Sequence, residues 1–308
     1  MRISTGAYND DTRRCLLRAQ QELRRLSAQM STGKRLTRPS DDPVAIGAII
    51  NARSDLTRVL NRQKVLQRAE RMTGPADAAL DGISSALRQV KDLVLTATQP
   101  GLTDAARSSQ AAIVRSYRER ILDEANVCVG GEYLFAGRLS RSAPFIEGAG
   151  GVEYTGDSGA AKVYVAPERP LEITIPGDRL FNYENELGER SVAGVERDLF
   201  TLLDDIASSI QSGDEAAIPG LADELDALHT HVVEERGVLG ARVQRIQDSA
   251  GAARDAEVFA RELLSDTEDV DIATTLIDLQ YQQLCYQAAL AATSTLARIP
   301  TLFELGWQ

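Results

Sequence analysis

The feature that most constrains this chain is a pair of helical seams at its two ends, separated by one glycine-rich interruption. Leu16, Ala19, Leu23, Leu26 and Met30 recur at alternating spacings of three and four, which aligns them on a narrow coiled-coil stripe rather than a broad globular face. The spacing predicts a helix over 10–31, closed by Gly33, because glycine accepts the left-handed conformation that ends helices. After a connector at 34–39, Asp41, Asp42 and Pro43 form a helix-start motif. Asp42 can accept from the free amides of a first turn, and Pro43 suits a position that needs no donor. That second helix is expected to run to Met72, with Ala45, Ile49, Ala52, Leu56, Val59 and Leu66 along one side and Gly74-Pro75 as its end. Leu80, Ile83, Leu87, Val90 and Val94 predict a third helix before Pro100-Gly101, and a fourth is expected over about 103–128.

From Gly130-Gly131 to about residue 188 the pattern changes to short alternating runs between turns. Tyr133–Phe135, Val152–Tyr154, Val163–Val165 and Leu171–Ile175 are the expected strands. Helix is expected again from about Val195. A long seam then follows through Ile218, Leu221, Leu225, Leu228, Val232, Glu235, Leu239, Arg242, Ile246, Ser249, Ala253, Ala256, Ala260 and Leu263. A run of that regularity predicts a partner-seeking helix, although Gly237 and Gly240 weaken it. The acidic run 266–271 is expected to start the last helix, where carboxylates meet the positive end of the helix dipole. That helix carries two apolar stripes: Ala273, Ile277, Leu284 and Ala291 on one, and Ile272, Leu276, Leu279, Tyr286 and Leu290 on the other. A helix apolar on two sides needs covering on two sides, which points to assembly.

Charge and composition narrow the function. The chain of 308 residues carries 34 basic and 45 acidic side chains, a net −11. That total argues against a general nucleic-acid binder. Residues 1–72 nevertheless hold 15 basic against 7 acidic groups, and residues 214–271 hold 15 acidic against 5 basic. The basic opening helix is therefore expected beside the acidic later one, with the opposed fields setting register in assembly. Aromatics are only 5 % of the chain, so packing is expected to rest on aliphatic stripes. The longest apolar run, Val44–Ile50, is far short of the roughly 18 residues of a membrane span, and the N-terminus has no apolar signal-peptide core. Cys15, Cys128 and Cys285 are odd in number and far apart, giving neither a disulfide framework nor metal-ligand spacing. His229 and His231 sit two apart, pointing about 200° away from each other on a helix, so they cannot chelate one metal. Gly148–Gly151 lies in a turn-rich loop without the helix and lysine of a phosphate loop. No catalytic, cofactor or metal residues are assigned, and no enzyme activity is expected.

The ends of the chain resemble the flagellin superfamily of bacterial axial proteins. The residues that carry this are the first seam, STGKRLTRPSDDPVAI at 31–46, and the long closing segment 265–305. Within that superfamily the opening MRIST, the DDP at 41–43, EYLFAGRLSRSAPF at 132–145 and VEYTGDSG at 152–159 are similar to the hook-associated protein 3 family, the hook–filament junction proteins. The resemblance implies a mainly α fold with a β-rich insert. Its terminal coiled-coil domain would be made of 1–39 and 265–308, its discontinuous helical domain of 40–130 and 190–264, and its small outer β domain of 131–189. It implies a structural adaptor at the hook–filament junction of the bacterial flagellum, or alternatively a divergent filament subunit. The implied partners are the first hook–filament junction protein, flagellin, copies of the chain itself in a ring and a flagellar export chaperone, with no nucleic acid and no membrane. Export is implied to run through the flagellar type III channel. The expected assembly interface is Leu16, Leu23, Leu26, Met30, Ile277, Leu284 and Leu290. The ending Phe303–Gln308 and Pro300 depart from the family's usual finish.

Overall fold

Seven helices and three short hairpins make up the computed structural model, which describes residues 5–36, 42–99, 101–148, 150–166, 169–185 and 187–297. Asp41, Pro300 and Phe303–Gln308 lie outside the described residues. In chain order the elements are α1 (Thr5–Thr32), α2 (Pro43–Ala97), α3 (Asp104–Ala125), β1 (Cys128–Val129), β2 (Glu132–Tyr133), β3 (Phe145–Gly148) and β4 (Gly151–Tyr154). They continue with β5 (Lys162–Ala166), β6 (Arg169–Glu172), α4 (Gly177–Leu180), α5 (Leu199–Ser212), α6 (Ile218–Glu268) and α7 (Ile272–Ala297). The chain divides into two compact units, one of residues 1–59 and 255–308 and one of residues 60–254.

The large hydrophobic core belongs wholly to the second unit, running from Leu66 to Ala253. Leu80, Ile83, Leu87, Val90 and Val94 of α2 are all buried. Contrary to the expected break at Gly74-Pro75, α2 is helical through both residues. A proline inside a helix removes a hydrogen bond and clashes with the preceding turn, a cost of about 3 kcal/mol. The apolar stripe does not pause there, however: Ala69, Met72, Ala76, Ala79 and Leu80 are all buried. Each buried aliphatic side chain of Leu size contributes about 1.5–3 kcal/mol, so the stripe outweighs the one proline.

A second correction concerns α6. Ile218, Leu221, Leu225, Leu228, Val232, Leu239, Ile246 and Ala253, expected to seek an outside partner, lie in the core of the same chain. Spacing alone reveals that a seam needs a partner, not whether that partner is the chain's own. Here α2 supplies it. Arg236 Nε lies 3.2 Å from Asp77 Oδ1, Lys91 pairs with Asp226, and His229 Nε2 shares a 3.1 Å hydrogen bond with Ser84 Oγ. His231 Nε2 is 2.8 Å from the Arg179 carbonyl, so both histidines have local partners. Charges of both signs on α6 thus find partners on α2, Asp226 with Lys91 and Arg236 with Asp77.

The middle of the chain forms antiparallel hairpins: β1 with β2, β3 with β4 in the register Phe145↔Tyr154, and β5 with β6 in the register Lys162↔Glu172. Gly148 pairs with Gly151 at the end of the β3–β4 hairpin, with Gly151 at φ 119°, a conformation closed to most side chains. The expected strand at Leu171–Ile175 stops at Glu172, and helix resumes at Leu199 rather than Val195, where Asp198 Oδ1 accepts from the Phe200 and Thr201 amides. Six of the fifteen aromatics gather here. Phe135, Phe145, Tyr154, Phe181, Tyr183 and Phe200 form one cluster, with Phe181 5.0 Å from Phe145 and 5.6 Å from Phe200 between ring centroids. Scarce in the sequence, they are concentrated where hairpins too short to bury much surface must pack onto α5.

Candidate assembly interface

The unit formed by the two chain ends is nearly coreless. Among its described residues only Leu26, Ile49, Ala52 and Ala260 are buried apolar side chains, whereas twelve large apolar ones are exposed, among them Phe259, Ile277, Tyr281 and Leu284. Exposed apolar surface in such concentration is characteristic of interaction sites.

In this unit α1 packs along α7. On α1 the inward positions are Leu26, which is buried, and Leu16, Leu23 and Met30, which are half-buried. On α7 the half-buried positions Leu279, Gln282, Tyr286, Ala289 and Thr293 follow buried Thr275 at spacings of four and three, a single heptad seam. Leu23, Leu279 and Tyr286 line a groove between the two helices. Of the expected second stripe only Leu279 and Tyr286 turn this way. Ile272, Leu276 and Leu290 are exposed, as are Ile277 (66 % accessible) and Leu284 (64 %). The expected interface residues therefore fall into two sets: Leu16, Leu23, Leu26 and Met30 toward the chain's own α7 seam, and Ile277, Leu284 and Leu290 toward solvent.

Within this unit the basic opening stretch reaches acidic α6 at Glu268, through Lys34 and Arg53. The helix packed along α1 is α7, whose only charged side chain is Asp278. Within one subunit most of α1's cationic surface is consequently left facing outward, with Arg13, Arg14, Arg18, Arg24 and Arg25 all exposed.

A clasp closes the base of this unit. Gly33, at φ 68°, ends α1 with its amide 2.8 Å from the Gln29 carbonyl. The chain then crosses the α6–α7 turn, where the Arg35 amide donates to the Glu268 carbonyl at 2.8 Å and the Val270 amide to the Gly33 carbonyl at 3.0 Å. Buried Gln29 donates to the Arg35 carbonyl at 2.6 Å. The Glu268 carboxylate, 5 % accessible, receives Lys34 and also Arg53, whose Nε lies 3.2 Å from its Oε2. Burial pushes this carboxyl upward, but the hydrogen bonds and charges of Arg53 and Lys34 prevail and hold it below the ordinary carboxylate range. No sequence reading singled out this site. The signal was present: a carboxylate in a helix's last turn opposes the negative end of the dipole and calls for cations.

The starts of α2 and α7 are capped. Asp42 Oδ1 accepts from the Val44 and Ala45 amides at 3.1 and 3.0 Å, and Pro43 opens α2. The acidic run does not begin α7 as a block, because Glu268 still belongs to α6. Asp271 alone caps α7, accepting from the Ala273 amide at 3.0 Å. Cys15 and Cys285 are free thiols. Among the described residues no three His, Cys, Asp or Glu side chains are disposed to share a metal ion, and no helix is long and apolar enough to cross a membrane.

Residues 3–140 match the bacterial flagellin N-terminal helical region. Over nearly all of both chains the protein is 28 % identical to the flagellar hook-associated protein 3 of Escherichia coli, with 99 % of each covered. The chain resembles hook-associated protein 3 from end to end. The hook-associated protein 3 of Salmonella typhimurium is 27 % identical over 94 % of this chain and 95 % of its own. The fold agrees: a flagellar hook-associated protein from Vibrio parahaemolyticus superposes with a TM-score of 0.66 at 20 % identity, covering 74 % of this chain and all of that one. Xanthomonas campestris FlgL gives 0.59 at 17 % identity over 70 % of this chain and 99 % of its own. These relatives are flagellar hook-associated proteins, and the chain is similar to them over nearly its whole length.

Proposed function

We propose that the chain is an adaptor subunit joining the flagellar hook to the flagellin filament. The observation that carries this reading is the terminal unit, which has four buried apolar residues and twelve large exposed ones. A surface of that kind stabilises an assembly rather than a monomer. Copies of the chain in a ring would cover Ile277, Leu284 and Leu290, with the first junction protein on the hook side and flagellin on the other. The outward cations of α1 would steer and align neighbours rather than hold them. The three-part organisation follows the same reading: a terminal domain of 1–39 and 265–308, a helical domain of 40–130 and 190–264, and an outer β domain of 131–189. So do export through the flagellar type III channel with a chaperone, and a role without catalysis.

The match of residues 3–140 to the flagellin N-terminal region favours a second reading, a filament subunit. Electron microscopy of a deletion strain separates the two. Complete hooks with filaments shed into the medium are the adaptor's outcome. Loss of filament protein itself, or purified chain that polymerises into long filaments unaided, is the filament subunit's.

A further inference from the structure

Two outward faces of the terminal unit carry opposite charge at matching intervals. On α6, Asp255, Val258, Phe259, Glu262, Leu263 and Asp266 fall within an arc of about 140° at about 100° per residue. All six are exposed, Phe259 at 68 % and Leu263 at 46 %. On α1, Arg14, Leu17, Arg18, Gln21 and Arg25, exposed as well, fall within about 100°. Little within the chain meets these charges. Along this stretch of α6 the ion pair is Arg261 with Glu257, and Asp255, Glu262 and Asp266 have none among the described residues. On α1, Arg18 likewise has none among the described residues, while Arg14 and Arg25 pair with Asp11 and Glu22 of their own helix.

The intervals decide the geometry. Arg14, Arg18 and Arg25 are separated by four and then seven residues, and Asp255, Glu262 and Asp266 by seven and then four. All three pairs therefore coincide only when the helices run antiparallel, with Arg14 level with Asp266, Arg18 with Glu262 and Arg25 with Asp255. The same register sets Leu17 level with Leu263 and Gln21 with Phe259. Each charged set extends over about 16 Å of helix at 1.5 Å per residue. We infer that α1 of one copy packs antiparallel on residues 255–266 of α6 in a second copy, in this register. Both faces are exposed in the folded chain, so this stretch of α6 is not covered by its own α1. Leu17, Phe259 and Leu263 supply apolar area. The charge pairs fix the alignment, since exposed pairs contribute little each but like charges reject a wrong register. Because two different faces are joined, the contact repeats from copy to copy, as a ring requires. The inference rests on the adaptor reading, for which it names a contact between copies.

The test expresses full-length variants in a strain that lacks the native chain. Arg18→Glu sets a like charge against Glu262 and should lower the fraction of hooks bearing a filament by about tenfold or more. Glu262→Arg alone should do the same. The two together should restore attachment, whereas Arg18→Glu with Asp255→Arg should not. Full attachment with Arg18→Glu, or equal rescue by Asp255→Arg, overturns the inference. A disulfide reads the contact directly. With Cys15, Cys128 and Cys285 replaced by serine, a chain carrying both Leu17→Cys and Leu263→Cys should form a ladder of linked copies when isolated flagella are oxidised with diamide. Unlinked chain, chain bridged only within itself, or coupling to a different protein overturns the inference. The adaptor role fails separately: filaments that stay on their hooks in the strain without any copy refute that role, while the disulfide ladder still reports the contact.

Discussion

Glu268 and Arg53, 215 residues apart in sequence, meet at 3.2 Å between Arg53 Nε and Glu268 Oε2 at the base of the terminal unit. With Lys34 on the same carboxylate, three separate stretches of chain converge on one buried charge. Because the folded state lowers this carboxyl, its contribution is complete above the ordinary carboxylate range, near 4.5, and is lost as pH falls through the lowered folded value. Hydrogen exchange at the Arg35 and Val270 amides, corrected for intrinsic rates, should therefore stay slow at neutral pH and accelerate only in acid. Glu268→Gln should cost about 1–2 kcal/mol at neutral pH, discounted because both cations are half-exposed, and should abolish the acid dependence. A variant whose two amides keep the wild-type acid profile would remove Glu268 as the cause.

The two faces of α7 give a contrast that separates folding from assembly. Leu284 is exposed, so Leu284→Asp should change the stability of the isolated subunit by no more than about 0.5 kcal/mol. The same change should leave cells with hooks and detached filaments. Leu23 faces the α1–α7 groove, so Leu23→Asp should additionally loosen α1 in the monomer, visible as lost helical circular dichroism. Attached filaments in the Leu284→Asp strain would show that the outward stripe is not an interface.

Gly74 and Pro75 show where sequence reading reached its limit. The seams, the Asp42 cap, the glycine-rich insert and most helix positions were legible because each depends on local spacing or local hydrogen bonding. The break at Gly74-Pro75 was misread because a local cost of about 3 kcal/mol is overruled by packing that no window around the residues reveals. The α6 seam was misassigned for a related reason: Leu225 or Ile246 has the same spacing whether it faces α2 or a second molecule. Glu268, Arg53 and Lys34 were invisible as a site because their pairing needs the tertiary fold.

That account predicts a gain in stability. Gly237, in the middle of the α6 seam, is exposed and helical, and an added Cβ would meet nothing within 4 Å. Gly237→Ala should thus stabilise the chain by about 0.5–1 kcal/mol, whereas at Gly74 the ring of Pro75 opposes a side chain. Denaturant titration of the wild type and variant would measure it directly. A loss would mean that the helix at Gly237 is distorted in a way that requires glycine.

The aromatic cluster makes the strongest single-residue claim. Phe181 is fully buried and packs edge-on against Phe135 and Phe145, with Phe200 also in contact. Phe181→Ala removes the ring shared by the hairpins and α5, and should cost about 3–5 kcal/mol. Because the large core is one continuous set of residues from Leu66 to Ala253, the loss should appear in unfolding of the whole 60–254 unit rather than of the hairpins alone. Tryptic digestion during denaturation would resolve the two. If the insert is cleaved well before α3 and α5, the hairpins form a separate cooperative unit. If all are cleaved together, the aromatic cluster fuses insert and helices into one.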